Sequence, residues 1–408
     1  MKTSKRAHQI NRSPTLALNE KAQKLTAEGK SVIHLGIGEP LNNAPRSAIR
    51  YAQQKLDTQQ IKYGPTAGLP DLKKSIQAYT KKYYGRKPEL KNIIVTAGAK
   101  QSLYNLLYSI LNPGDEVLLL APYWVSYPEM VKLADGTPIP IAPDENLLPD
   151  IETVSQAVTP RTKAIILNSP NNPSGVVYPP EIIAAFVDFC ESQEIYLIMD
   201  DIYHQLVFDD HKWVPGYVFT SQPLDSSHVI VINGISKTFG MTGFRVGWTI
   251  GPEELVQAMT KIQGHTTSGA SVLLQEGAQG ALADGQGTVD ELKDFIRKNR
   301  ALMLSVLKEI PGVKTVHPGG TFYCFPDFSA YQESSEKLAE LLLDKAYLVT
   351  IPGTAFGVDG HLRLSYTCPS EQIEESIQRI RWVIDDSAPK TIVIGGEEHE
   401  CDWERKRI

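Results

Sequence analysis

Residues 233–245 read Asn-Gly-Ile-Ser-Lys-Thr-Phe-Gly-Met-Thr-Gly-Phe-Arg, setting Lys237 in a loop of small residues eight positions before Arg245. A lysine amine that sheds its proton in a pocket can condense with an aldehyde to form an imine. Ser236, Thr238, Gly240 and Gly243 permit close backbone approach, and Ser236 with Arg245 could serve a phosphate. On its own, a loop lysine is a solvated charge. Thr96-Ala-Gly-Ala-Lys-Gln101 lies between a strand pattern and a helix pattern, and helix N-termini offer unpaired N–H groups to anions. It is not a P-loop, and Gly36-Ile-Gly38-Glu-Pro-Leu41 lacks the third glycine of a dinucleotide fingerprint. Asp200-Asp201-Ile202-Tyr203 could pair a carboxylate with a protonated ring nitrogen and a phenol with a ring oxygen. Alone, it reads equally as an acidic strand cap. Asn168-Ser-Pro-Asn-Asn-Pro-Ser-Gly175 is first of all a turn, though Asn172, fixed by the following proline, could be a well-placed donor.

These segments need a scaffold, and the pattern around them supplies one. Short apolar runs predict strands over 93–95, 117–120, 163–167, 195–199, 228–232 and 245–250, with helical spacing over 103–110 and 181–193. That alternation predicts an α/β fold with a largely parallel sheet, whose strand ends open into a ligand crevice. Beyond Gly285 a long helix over 289–309, short strands at 321–325 and 361–365 and a helix over 371–384 predict a smaller α+β domain. The expected division is an N-terminal segment, 1–44, joining the small domain; a large domain, 45–285; a small domain, 286–385; and a loosely held polar tail, 386–408.

The composition is 42% hydrophobic and 22% charged, enough to bury a sizeable core in 408 residues. A net charge of -6 gives no general pull toward nucleic acid or anionic membrane. Cys190, Cys324, Cys368 and Cys401 form no CxxC, which argues against a metal site or a disulfide framework. The basic, polar N-terminus and the lack of a long apolar run predict a soluble, cytoplasmic protein.

Taken in order, these motifs resemble the class I aminotransferases of pyridoxal 5'-phosphate (PLP) fold type I, over nearly the whole chain. Pro122-Tyr-Trp-Val-Ser-Tyr-Pro128 and His361-Leu-Arg-Leu-Ser-Tyr366 add to the resemblance, which is greatest to the bacterial aspartate/prephenate branch. It implies that Lys237 holds PLP as a Schiff base and moves the proton between substrate Cα and cofactor C4′. Asp200 would keep the pyridine nitrogen protonated, making the ring an electron sink. Tyr203 and Asn172 would bond the ring oxygen and Trp124 would stack on the ring. Arg245, Ser236 and the amides of Ala99 and Lys100 would hold the phosphate. Tyr63 would reach the phosphate of a neighbouring subunit, implying a homodimer with shared sites. Arg363 would clamp the substrate α-carboxylate beside Gly38, and Lys100 with Thr15 would bind a distal carboxylate.

The resemblance thus implies ping-pong transamination, with aspartate or glutamate as donor and 2-oxoglutarate or oxaloacetate as acceptor. Aromatic amino acids, alanine or prephenate are alternative substrates, and a PLP C–S lyase is the alternative chemistry on this fold. A PLP-fold transcription regulator would need an attached DNA-binding domain, for which too few residues precede the matching region. Leu41 stands where the family often has an acidic residue, and Ser174 where threonine is commoner.

Overall fold

A computed structural model describes residues 3–11, 14–209 and 211–406, with the side chains at 5, 6 and 14–17 outside that description. Its main sheet has seven strands, in chain order β1 (Ile93–Thr96), β2 (Glu116–Leu120), β3 (Thr137–Ile141), β4 (Thr162–Leu167), β5 (Tyr196–Asp200), β6 (Val229–Gly234) and β7 (Gly247–Ile250). Their spatial order is β1-β7-β6-β5-β4-β2-β3, and every neighbouring pair is parallel except the two made by β7. Successive side chains point to opposite faces, and both faces are buried. Val95, Leu118, Ile165, Leu197 and Val231 pack into one core, while Ile94, Val117, Ile166, Ile198 and Ile232 pack into another. Double burial is why these strands read as continuous apolar runs.

Two differences from the sequence reading have local causes. The run expected over 245–250 pairs only from Gly247, because Arg245 has a left-handed backbone (φ 50, ψ 55) that no strand can continue through. Strand β3, Thr-Pro-Ile-Pro-Ile, was not expected. Its two prolines withhold ladder donors and suit the sheet edge that it occupies.

The smaller α+β part draws on both chain ends. Ile33–His34 pairs in parallel with Leu348–Val349, and Leu362–Ser365 pairs antiparallel with Ile351–Pro352 and with Tyr323–Cys324. Gln286–Leu307, Ser335–Ala346 and Ser370–Ile384 are its helices, and their apolar faces share a core with Phe322, Leu362 and Leu364.

The segment 386–408, expected to be loosely held, is instead docked through residue 406. Thr391–Ile394 and Glu397–Glu400 form a hairpin across Gly395-Gly396, both at positive φ, the geometry a two-residue turn demands. Trp403 meets Trp382 edge to face at 4.9 Å, and its indole N–H donates to Val383 O at 2.9 Å. Arg405 donates to the carbonyls of Trp382, Ala388 and Pro389. The turn rests on residues 30–31: Glu397 pairs with Lys30 at 3.6 Å, and a side chain at Gly395 would collide with Ser31.

Candidate active site

The C-terminal ends of the parallel strands converge on one cleft of about 380 Å³. Asp200 ends β5, Asn168 follows β4, Trp124 follows β2, and Ser236 with Lys237 follow β6. Arg363 enters from Leu362–Ser365 of the smaller part, so both parts contribute. Gly38, Ala99, Lys100, Trp124, Asn172, Asp200, Tyr203, Ser236, Lys237, Arg245 and Arg363, all singled out in the sequence, line this one space. Tyr63 does not. It is 94% exposed on the outer surface. The side chain of Thr15 falls outside the described residues. Leu41 is exposed and not among the lining residues.

At one end lies an anion cradle. The helix Ala99–Ile110 starts after Gly98 (φ 84); the amides of Gln101 and Ser102 donate to Gly98 O, which leaves those of Ala99 and Lys100 to an anion. A side chain at 98 would sit 2.5 Å from the Arg245 guanidinium, so the bare glycine makes the notch that admits it. Gly247 likewise lets β7 pass against Ala99 N, where a Cβ would approach to 2.4 Å. Arg245 keeps its left-handed backbone at a cost of about 1 kcal/mol or more, and donates to Thr242 O at 3.0 Å.

Lys237 stands in the middle. Its Nζ donates to Gly38 O, and the segment carrying Gly38 lies across its loop, with the Asn42 side chain 2.1 Å from where a Cβ at Gly240 (φ +64) would stand. Burial, reinforced by the nearby Arg363, Arg245 and Lys100 charges and opposed by Glu39, lowers the Lys237 pKa to about 8. Deeper still, burial raises the Asp200 pKa to about 6, while a hydrogen bond from Tyr127 Oη at 2.6 Å counters the rise. Burial also holds the Tyr203 phenol well above its ordinary range, so it is neutral.

At the other end is a second cation. Arg363 donates to Asn172 Oδ1 at 3.0 Å and to Gly36 O at 2.9 Å, its Nε has no partner, and its guanidinium lies over the rings of Tyr323 and Phe356 at 4.4 and 5.2 Å. Because Asn172 Oδ1 is occupied, its Nδ2 is left to donate. Lys100 stands at the rim, exposed on its outer side, with Nζ 4.8 Å over Trp124. Partial burial and the charge of Arg245 lower its pKa.

Tyr127 and Tyr323 were not singled out as site residues in the sequence, although Tyr127 lies within the 122–128 motif and Tyr323 within the strand expected over 321–325. Their partners, Asp200 and Arg363, are distant in the chain, and the contacts exist only through space.

A cationic cradle, an amine of lowered pKa, a buried carboxylate and a second guanidinium, in that company, fit a phosphorylated pyridine aldehyde and a carboxylate-bearing partner. The sequence model described as aminotransferase class I and II matches residues 30–380. The chain belongs to that family. It is a PLP-dependent aminotransferase of fold type I that moves amino groups between amino acids and 2-oxo acids. A probable aspartate/prephenate aminotransferase from Thermus aquaticus is 37% identical over 92% of this chain and 97% of its own length. The aspartate aminotransferase of Geobacillus stearothermophilus is 36% identical over 93% of this chain and 98% of its own. Among solved structures, the Thermus thermophilus aspartate aminotransferase with maleate superposes with a TM-score of 0.89 at 36% identity, covering 94% of this chain and all of that one. The names of these relatives support transamination rather than the C–S lyase alternative. Among the described residues, no helix of this aminotransferase is long and apolar enough to cross a membrane.

Proposed function

We propose that this aminotransferase takes L-aspartate or L-glutamate as amino donor and 2-oxoglutarate or oxaloacetate as acceptor, by a ping-pong reaction at one site. One observation carries the substrate class: two cations, Arg363 and Lys100, line the cleft on which Lys237 opens. A dicarboxylate offers each a partner, whereas an apolar side chain leaves Lys100 with water alone and gains nothing from it. The Thermus thermophilus relative was solved with maleate, which is also a dicarboxylate. Prephenate carries two carboxylates as well, and the aromatic lining of Trp124 and Tyr323 together with the name of the Thermus aquaticus relative favours it as a second substrate.

In this reading Arg245, Ser236 and the Ala99 and Lys100 amides hold the PLP phosphate, Trp124 covers the ring, and Tyr203 with Asn172 Nδ2 bonds the ring oxygen. PLP, when bound, supplies an electron sink for charge developing at the substrate Cα. Asp200 holds the proton on the ring nitrogen. The lowered pKa of Lys237 leaves its amine able to act as nucleophile and then to carry a proton to and from Cα. Arg363 fixes the α-carboxylate with the fork its stacking on Tyr323 pre-orients.

The protein in this reading is a cytoplasmic homodimer with Tyr63 completing the phosphate site of the partner. Ile49, Leu56, Ile61 and Tyr63, all exposed and close in sequence, are the apolar side chains assigned to that contact in this reading. The four free cysteines suit a reducing compartment. Domain boundaries near residues 44, 285 and 385 follow from the same reading, with the N-terminal segment assigned to the small domain through its pairing with Leu348–Val349.

The test is the visible absorbance of the purified protein with single amino acids and no acceptor. L-aspartate or L-glutamate should convert the bound cofactor to its pyridoxamine form, and Lys100→Ala should weaken dicarboxylates alone, by roughly tenfold or more. Equal loss for alanine and aspartate would remove Lys100 from substrate selection. Release of pyruvate and ammonia without a 2-oxo acid would instead identify lyase chemistry.

A further inference from the structure

Tyr127 touches two of the groups placed above against the cofactor ring. Its hydroxyl donates to Asp200 Oδ2 at 2.6 Å. Its ring meets the edge of Trp124 at 5.5 Å and 87°, and its backbone N–H donates to Trp124 O at 2.9 Å. The residue is 2% exposed and opens the helix Tyr127–Leu133, so little freedom remains to it. The other carboxylate oxygen, Asp200 Oδ1, accepts only a long bond, 3.4 Å, from Ile202 N. Tyr127 thus holds one carboxylate oxygen in a short bond, and the other keeps acceptor capacity to spare.

The geometry points to Tyr127 as a positioning residue that sets both the acid at the ring nitrogen and the indole at the ring face. The inference rests on the placement of PLP given under the proposed function. A buried carboxylate left without this donor takes up a proton more readily. The other ionisable groups around the pair are Lys237, which favours the charged acid, and Asp201, Tyr203 and Tyr178, which stand near Asp200 or Tyr127 without donating to the acid. Among the described residues, Tyr127 is the side-chain hydrogen-bond donor to the Asp200 carboxylate. Once protonated, Asp200 cannot hold a positive charge on the ring nitrogen. A ring without that charge withdraws less density from the nitrogen of Lys237 joined to it, which therefore keeps its proton to higher pH.

The experiment is a pH titration of the visible absorbance of the holoenzyme for the parent, Tyr127→Phe and Tyr127→Leu, with steady-state kinetics and PLP affinity. In Tyr127→Phe the absorbance midpoint should move up by roughly half a pH unit or more, and kcat should fall about tenfold with KM nearly unchanged. Tyr127→Leu should add a loss of PLP affinity that Tyr127→Phe does not show, because the edge contact with Trp124 is gone. An unchanged midpoint and kcat in Tyr127→Phe would overturn the role of the hydroxyl, even if the variant melts lower. Equal PLP affinity in the two variants would overturn the role toward Trp124. A parent with no absorbance band would overturn the placement of PLP itself and this inference with it.

Discussion

Arg363 shows how one side chain is made specific. Its guanidinium is buried, set over the rings of Tyr323 and Phe356 and bonded to Asn172 and Gly36, so its remaining donors are aimed rather than mobile. Lysine keeps the charge but not the fork. Arg363→Lys should therefore raise KM roughly tenfold or more for every amino acid, whatever its side chain; initial rates across donors would show it, and an effect confined to one donor would contradict it. Lys237 makes a prediction about stability instead. Its amine titrates at about 8 folded against 10.5 in the unfolded chain, so between those values the unfolded state binds more protons. Stability of the cofactor-free protein from this group must rise with pH across that window and is lowest below it. Melting curves of the cofactor-free parent minus Lys237→Met should show the difference shifting in favour of the parent from pH 8 to 10.5. A constant difference would refute it. Lys237, Asp200 and Arg245 were legible as residues because each sits in a short motif beside a strand end. The bond from Tyr127 to Asp200, 73 residues apart, was not, since nothing local encodes it.

Elements were legible where burial is uniform and obscure where a single residue decides. Strands β2 and β4 announced themselves as apolar runs, while β3, broken by Pro138 and Pro140, did not. The C-terminal hairpin is the clearer lesson. The Gly395-Gly396 turn and the β-branched run Thr391-Ile-Val-Ile394 were present in the sequence, but the second strand, Glu397-Glu-His-Glu400, is mostly exposed and charged and carries no apolar alternation to pair with that run. The hairpin holds through Trp403, Arg405 and Lys345, the last paired with Asp402 at 2.9 Å and set over the Trp403 ring. Deleting residues 386–408 should uncover Trp382, lower the melting temperature by a few degrees and leave the amino-acid KM values nearly unchanged. An unaltered melting temperature would mean that the hairpin merely rests on the surface.

For the whole molecule, the exposed Tyr63 is the informative residue, because a phenol 94% exposed does nothing in the isolated chain. If it completes a neighbouring site, Tyr63→Ala should weaken PLP retention about tenfold. Mixing Tyr63→Ala with Lys237→Ala subunits would then rebuild one intact site per hybrid, with Lys237 from the first and Tyr63 from the second. Recovered activity and PLP affinity in the mixture would establish sharing; activity no greater than the average of the two variants would exclude it.

The pairing of Ile33–His34 with Leu348–Val349, and the seat of the hairpin turn on residues 30–31, stitch the start of the chain to its end. During synthesis the seven-stranded sheet has all of its strands once residue 250 has left the ribosome. The smaller part must wait until Leu348–Val349 has been made, with its first strand held unpaired for some three hundred residues. A nascent chain therefore passes through a long interval in which the cradle for the phosphate can assemble while Arg363 has yet to be made. A chain stopped before Leu348 would keep all seven strands of the sheet, yet leave Ile33–His34 without its partner strand and the cleft without Arg363.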